Sequence, residues 1–106
     1  MKIYISGKIS GCEEQARIQF ADAEDFLVKI GHEAVNPFDN GLDVDDTWER
    51  HLAVDIRDLL TCDAVYQLPG WEESRGARLE AEVALVHNIP VIPSTSFIVG
   101  RNQTNL

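Results

Sequence analysis

Short apolar runs alternate with helix-like patterns along this chain of 106 residues, and that alternation most constrains how it can fold. The runs with the length and composition of buried strands are 2–6, 32–36, 64–68 and 89–92. Single helices between successive strands are typical of βαβ units. We therefore predict one α/β domain over residues 1–106, a Rossmann- or flavodoxin-like sandwich. Its sheet has four or five mostly parallel strands with helices on both faces, and the fifth strand is expected in the tail beginning at Ser96.

The second predicted helix carries a carboxylate close to its apolar stripe. Leu52, Ile56 and Leu59 recur at helical spacing, and Asp46 or Thr47 is the expected N-cap. Asp55 falls on or beside this stripe. Because a carboxylate turned inward is costly unless it has a partner, we expect Asp55 to be paired or used. A backbone amide, or a salt bridge with Arg50 or Arg57, would be an ordinary structural partner.

The third predicted helix follows the stretch LPGWEESRGARLEAEVAL, residues 68–85. Ser74 is well placed to cap this helix, whose predicted packing face consists of Ala77, Ala81, Ala84 and Leu85. Glu80 is then expected on a flank, about one and a half turns from the helix start. A solvated helix glutamate is the common alternative for such a residue.

Candidate binding residues cluster where ligands of parallel sheets bind, beyond the carboxyl ends of the strands. After the first strand these are Ser6, Gly7, Lys8, Ser10 and Gly11; after the third they are Trp71, Ser74 and Gly76. Helix-start amides and the helix dipole favour a negatively charged group there. Trp71 is either a loop anchor or a surface on which a base stacks.

The composition narrows the choice of partners. Nine basic and eighteen acidic side chains give a net charge of −9, which argues against duplex nucleic acid or an anionic membrane. Cys12 and Cys62 show neither disulfide nor metal spacing, and no signal sequence or membrane span is evident, so we expect a cytoplasmic protein. The histidines and loop aspartates match no metal motif, and we expect neither metal nor organic cofactor.

Glu80, Asp55 and Tyr4 together suggest chemistry at a sugar. Tyr4 lies in the first strand, where a tyrosine is commonly a core residue whose hydroxyl needs a polar partner. Glycosyl-bond cleavage uses one carboxylate as nucleophile and a second acidic group to protonate or orient the leaving group. Two carboxylates from different helices and a phenol would meet that requirement.

The chain resembles the nucleoside 2-deoxyribosyltransferase-like family, in particular a small bacterial and phage branch related to 2′-deoxynucleoside 5′-phosphate N-hydrolases. The resemblance covers nearly the whole chain and shows in KIYISGKISG, GHEAVNPF, DIRDLLTCDAVYQLPGWEESRGARLE and NIPVI. The family's S-x-G-x-x-x-E pattern is met by Ser74, Gly76 and Glu80. A helix aspartate eight residues before an Ala-Asp or Cys-Asp pair is met by Asp55, eight before Asp63.

The resemblance implies a role for each matched residue. Glu80 would be the nucleophile that takes the glycosyl group, Asp55 would assist beside the sugar and base, and Tyr4 would hydrogen-bond the nucleophile. Ser74 would contact the phosphate or sugar of the substrate. A homodimer or larger homo-oligomer is also implied, in which polar C-terminal residues such as those of 102–106 complete a neighbour's site.

Several alternatives stay open at the level of sequence. The related hydrolases have an arginine where this chain has Ser10, which leaves the need for a 5′-phosphate open. The base and the choice between hydrolysis and transfer are open too. Lysine-decarboxylase-like phosphoribohydrolases carry a P-G-G-x-G-T-x-x-E signature that this chain echoes only loosely. A non-enzymatic nucleotide-binding or partner-binding module would use Asp55 and Glu80 only to hydrogen-bond a ligand.

Overall fold

The described fold is a four-stranded parallel sheet with three helices. A computed structural model describes residues 1–95 of the chain. The elements are β1 (Lys2–Ser6), α1 (Glu13–Lys29), β2 (Glu33–Val35), α2 (Trp48–Leu59), β3 (Ala64–Gln67), α3 (Arg75–Val86) and β4 (Val91–Pro93). The strand order is β2-β1-β3-β4, and every adjacent pair is parallel. The predicted α/β fold is confirmed. The expected edge strand after Ser96 and the segment 102–106 lie outside the described residues.

Alternation along β1 separates two hydrophobic cores. Successive strand side chains point to opposite faces, and Ile3 and Ile5 belong to the cluster that contains Phe20 and Leu27 of α1. Tyr4 belongs to the other cluster, with Leu59 at the end of α2 and Ala84 of α3. Helix α1 therefore covers one face, and α2 and α3 cover the other. Even positions of β1 consequently face the two helices that carry the candidate carboxylates.

The helix ends follow the predicted capping chemistry. Thr47 rather than Asp46 is the N-cap of α2, and its hydroxyl accepts a hydrogen bond from the Arg50 amide at 3.2 Å. Ser74 caps α3 by accepting from the Ala77 amide at 3.1 Å. Within residues 1–95, no helix combines the length and apolar character needed to cross a bilayer.

Three local features differ from the sequence-based predictions. Leu85, expected on the packing face of α3, is 76% exposed, because that face is rotated toward Glu80. Strand β4 begins at Val91 rather than at position 89, since Pro90 has no amide hydrogen for the ladder and contributes only its carbonyl, to the Val65 amide. Short 3₁₀ turns at Pro37–Asp39 and Trp71–Glu73 follow β2 and β3 and were not predicted.

Gly7 is required by close packing at the end of β1. A Cβ atom there would lie 3.0 Å from Leu68 Cβ and 3.2 Å from Phe20 Cζ. Because Leu68 Cβ is tied to the backbone, we expect Gly7→Ala to lower the free energy of unfolding by about 1–2 kcal/mol. Urea denaturation measures this, with Gly76→Ala as the matched control. A Cβ at position 76 has no neighbour closer than 3.9 Å. Equal stability of the two variants would show that the contact at Gly7 is relieved without cost.

Candidate active site

Glu80 is a buried carboxylate held by two hydroxyl groups of β1. Its side chain is 6% exposed. The Tyr4 hydroxyl donates a hydrogen bond to Oε2 at 2.7 Å, and the Ser6 hydroxyl donates to Oε1 at 2.7 Å. Both carboxylate oxygens therefore have a short, charge-assisted donor. This pairing joins the middle of the sheet to the second turn of α3.

The register of two elements explains this contact. Tyr4 and Ser6 are two residues apart in β1, so both point to the face covered by α3. On α3, Ala77, Glu80 and Ala84 are the buried residues, spaced three and four apart along one side. Glu80 thus occupies the packing face and not the flank expected from the sequence. The small alanines before and after it let the helix lie close to the strand.

Burial sets the ionisation of Glu80. It raises the pKa of Glu80 from 4.5 to about 7, although the hydrogen bonds from Tyr4 and Ser6 lower it and the charge of Asp55 adds to the rise. Burial also raises the pKa of Tyr4 well above 10, with a further contribution from the charge of Glu80. Tyr4 therefore stays protonated and acts as a donor, while Glu80 changes its charge close to neutral pH.

Asp55 is partly buried and takes its hydrogen bond from a loop. Asn40, in the loop after β2, donates through Nδ2 to Asp55 Oδ1 at 3.0 Å. Neither of the expected salt bridges forms: Arg50 pairs with Asp46 at 3.2 Å and Arg57 with Asp58 at 3.2 Å. The loop residue, 15 positions away in sequence, replaces the local partners that the helix pattern suggested.

Asp55 has a raised pKa of its own, and its charge also acts on Glu80. Burial raises the pKa of Asp55 from 3.8 to about 6, while the hydrogen bond from Asn40 lowers it. The charge of Asp55 in turn raises the pKa of Glu80. Burial thus raises both pKa values toward neutral pH, so each carboxyl group keeps its proton to a higher pH than an exposed one would.

A cavity of about 270 Å³ opens at the N-terminus of α3. It is lined by Lys8, Ser10, Trp48, Glu73, Ser74, Arg75 and Gly76. Four candidate binding residues thus meet in one space: Lys8, Ser10, Ser74 and Gly76. Glu80 itself does not line the cavity, but it follows Gly76 by one helical turn. The Arg75 guanidinium lies 4.6 Å from the centre of the Trp48 ring.

The remaining candidates lie elsewhere. Trp71 borders a different groove of about 220 Å³, together with Gln67 and Pro93. Gly7 is buried directly after β1, and Gly11, with φ of 86°, lies before α1 and does not line the cavity. A contact of Trp71, Gly7 or Gly11 with substrate stays a prediction.

Two residues of the site were missed in the sequence. Neither Asn40 nor His51 belongs to a sequence motif that indicates a role at this site. The one signal available was the four-residue spacing between His51 and Asp55, which brings them together on one side of α2. Among the described residues, no group of three His, Cys, Asp or Glu side chains is arranged to hold a metal ion.

The solved structures that share this fold include three nucleoside- or nucleotide-processing enzymes. The 2-deoxyribosyltransferase of Bacillus psychrosaccharolyticus has a TM-score of 0.68 and 22% identity, covering 88% of this chain and 71% of that one. A CMP N-glycosidase of Clostridium botulinum has a TM-score of 0.62 and 20% identity, covering 88% and 67%. The 2-deoxyribosyltransferase of Leishmania mexicana has a TM-score of 0.68 and 16% identity, covering 87% and 62%. The comparison with curated protein sequences gave no match.

The parallel strand order, the helices on both faces of the sheet and the likeness to these structures define a small α/β domain of the nucleoside 2-deoxyribosyltransferase-like fold. The resemblance inferred from the sequence is thereby confirmed at the level of fold. The chain belongs to the family described as "Domain of unknown function (DUF4406)", whose match covers residues 1–93.

Proposed function

We propose that this domain is an enzyme that cleaves the N-glycosidic bond of a nucleoside or nucleoside 5′-monophosphate. The observation that carries the proposal is the buried Glu80, held by Tyr4 and Ser6 and coupled to a second carboxylate, Asp55. Two carboxylates from different elements are what glycosyl chemistry requires. Proteins of the same fold include 2-deoxyribosyltransferases and a CMP N-glycosidase, which supports the same bond as the target.

The proposed reaction has two steps. A Glu80 oxygen attacks C1′ of the sugar as the bond from C1′ to the base nitrogen breaks, and the base nitrogen takes the bonding electron pair and a proton from Asp55. A glycosyl ester of Glu80 results. Water or a second base then attacks C1′, gives its proton to Asp55 and releases the Glu80 carboxylate. Tyr4 and Ser6 would hold the carboxylate oxygens during both steps.

The cavity at the start of α3 supports a substrate with a 5′-phosphate. Lys8 and Arg75 supply two positive charges at its wall against one negative charge from Glu73, and the Ser74 and Ser10 side chains supply hydroxyl groups. By helix geometry the amides of Arg75 and Gly76 have no partner within the helix, and the dipole favours an anion there. These features occur in a chain of net charge −9, so an anionic ligand is favoured at this place rather than over the whole surface.

A panel of substrates tests the proposed function. Purified protein is incubated with nucleosides and nucleoside monophosphates of each base, with ribose or deoxyribose, with and without a second base. Chromatography then measures free base and exchanged nucleoside. We expect release from at least one monophosphate that is faster than from its nucleoside. If folded protein releases no base from any of them, the glycosidase proposal is wrong.

A binding module is the second candidate, because Glu80 is almost fully buried and both its oxygens already have partners. In that case Glu80 would maintain the fold and a nucleotide would occupy only the cavity beside Lys8. Isothermal calorimetry with the same panel separates the two candidates. Tight binding of a nucleotide that is recovered intact after long incubation would favour the module.

We also propose that the domain works as a homo-oligomer. Leu85 and Val86 at the end of α3 are 76% and 70% exposed, and Leu79 of α3 and Trp48 of α2 are exposed as well. Large apolar side chains on neighbouring helices are typical of surfaces that a second subunit covers. Light scattering should give a multiple of the chain mass, and Leu85→Glu should reduce it. A monomeric wild-type protein at high concentration would contradict this.

A further inference from the structure

Asn40 links the loop after β2 to two side chains of α2. Its Nδ2 lies 3.0 Å from Asp55 Oδ1 and 3.0 Å from His51 Nδ1. Its Oδ1 accepts a hydrogen bond from the Leu42 amide at 3.0 Å. The two hydrogens and the oxygen of the Asn40 amide are therefore all engaged.

This network fixes the orientation of Asn40 and the tautomer of His51. If the amide were turned round, its oxygen would face the Asp55 carboxylate and its nitrogen would face the Leu42 N–H, and both contacts would be repulsive. With Nδ2 as donor, His51 Nδ1 must accept, so the ring carries its hydrogen on Nε2. That nitrogen lies 2.9 Å from the carbonyl oxygen of Asp43, which completes the network.

The two oxygens of Asp55 are consequently different. Oδ1 accepts from Asn40, whereas Oδ2 has no hydrogen-bond partner within residues 1–95. No fully buried side-chain oxygen in that part of the chain lacks a partner, so Oδ2 must still be accessible. A proton on Oδ1 would break the bond from Asn40, and a proton on Oδ2 would leave it intact. Protonated Asp55 therefore carries its proton on Oδ2.

We propose that Asn40 and His51 are positioning residues that reserve Asp55 Oδ1 as an acceptor and leave Oδ2 as the oxygen that exchanges a proton with the leaving base. The exchange with the base rests on the proposed function, whereas the control of Asp55 by Asn40 does not. The charged and titratable groups that act on Asp55 or feel its charge are His51 and Asp58 on α2, Glu80 on α3 and Tyr4 on β1.

Two substitutions of His51 separate its two hydrogen bonds. The side-chain oxygen of asparagine can take the place of Nδ1, and the side-chain nitrogen of glutamine can take the place of Nε2. His51→Asn therefore keeps an acceptor for Asn40, while His51→Gln keeps only the bond to the Asp43 carbonyl. Asn40→Ala removes the donor to Asp55 altogether. Asp46→Ala is the control, because it breaks the ion pair with Arg50 and the hydrogen bond from the Thr47 amide, beside the same loop, without touching Asn40 or Asp55.

The carboxyl carbon of Asp55, followed by NMR as pH is varied, gives the decisive measurement. Without the Asn40 donor, the ionised form loses a hydrogen bond, so Asn40→Ala should raise the midpoint by about one pH unit. His51→Gln should raise the Asp55 midpoint by less than Asn40→Ala does. In His51→Asn the midpoint should stay close to the wild-type value, and in Asp46→Ala it should not change. If Asn40→Ala folds and titrates like wild type, or if His51→Gln and His51→Asn titrate alike, the proposal is wrong.

The kinetics then test the exchange with the base. In a plot of kcat against pH, one limb reports the ionisation of Asp55. In Asn40→Ala and His51→Gln this limb should shift to higher pH by the same amount as the NMR midpoint, with little change in KM. If Asn40 and His51 only stabilised the fold, their substitution would lower the amount of folded protein but would not change the pH dependence of kcat. Absence of base release by the wild type would reject the proposed function, and the NMR titration would still decide the role of Asn40.

Discussion

Glu80→Gln should abolish base release and at the same time make the protein more stable above neutral pH. Glutamine has nearly the same shape but cannot form the glycosyl ester, so kcat should fall by about 10³-fold or more. The pKa of Glu80 is raised from 4.5 to about 7, so the folded state holds a proton that the unfolded chain releases. Its stabilising contribution is complete below pH 4.5 and is lost as pH rises through about 7.

The stability gain should therefore depend on pH. At pH 8 wild-type Glu80 is charged and buried, and replacing it with neutral glutamine should add about 2–3 kcal/mol to the free energy of unfolding. At pH 5 wild-type Glu80 is protonated and resembles glutamine, so the two proteins should be nearly equal. Thermal or urea denaturation at the two pH values measures the difference. Glu82→Gln, at an exposed position of the same helix, is the control and should show no such change.

A loss of stability in Glu80→Gln at pH 8 would contradict this account. It would mean that the bonds from Tyr4 and Ser6 stabilise the charged form more than burial disfavours it. If Glu80→Gln keeps its activity, Glu80 takes no part in the chemistry. Lost activity together with gained stability would identify a catalytic Glu80. If Glu80 had only a structural role in its buried network, the substitution would lower both the activity and the stability of the protein.

Asp55→Asn should lower kcat by about 10²-fold and change the shape of its pH profile. The reaction needs Glu80 ionised and Asp55 protonated, which is the reverse of the order of their pKa values of about 7 and about 6, so the wild-type rate should have its maximum between those pH values and fall on both sides. Asparagine cannot supply that proton, so only the limb due to Glu80 should remain. That limb should lie at lower pH than in wild type, because the charge of Asp55 raises the pKa of Glu80.

The leaving group provides an independent check on Asp55. A base that is a good leaving group without protonation needs little proton donation from Asp55. For a substrate with such a base, Asp55→Asn should therefore lower kcat much less. Asp58→Asn, three residues later on the same helix, should alter the rate only slightly. If Asp55→Asn lowers kcat equally for good and poor leaving groups and leaves the pH dependence of kcat unchanged, Asp55 binds substrate and transfers no proton.

The fold was predictable because its determinants are local. Strand and helix periods, with caps at Thr47 and Ser74, define each element from nearby residues. The burial of Glu80 was not predictable in the same way. A helical pattern based on hydrophobicity assigns a glutamate to the surface, and only the hydroxyls of Tyr4 and Ser6, more than 70 positions away, reverse that assignment.

The surroundings of Asp55 show the same limit. Its position near the inward stripe of α2 followed from spacing, but its partner Asn40 comes from a loop with no period to reveal it. Similarly, the exposure of Leu85 depends on how far α3 turns to bring Glu80 to the sheet. Local patterns thus specify which elements form, while polar contacts between distant segments specify the site.

Trapping of the glycosyl-enzyme tests the central claim most directly. A substrate found in the panel is prepared with fluorine at C2′, which destabilises the oxocarbenium-like transition states and slows breakdown of the intermediate. Intact-protein mass spectrometry follows a rapid acid quench, with peptide mapping of the product. We predict a mass increase of one fluorinated glycosyl group, located on Glu80 and absent from Glu80→Gln. Base release by an enzyme that never carries this group on Glu80 would contradict the account.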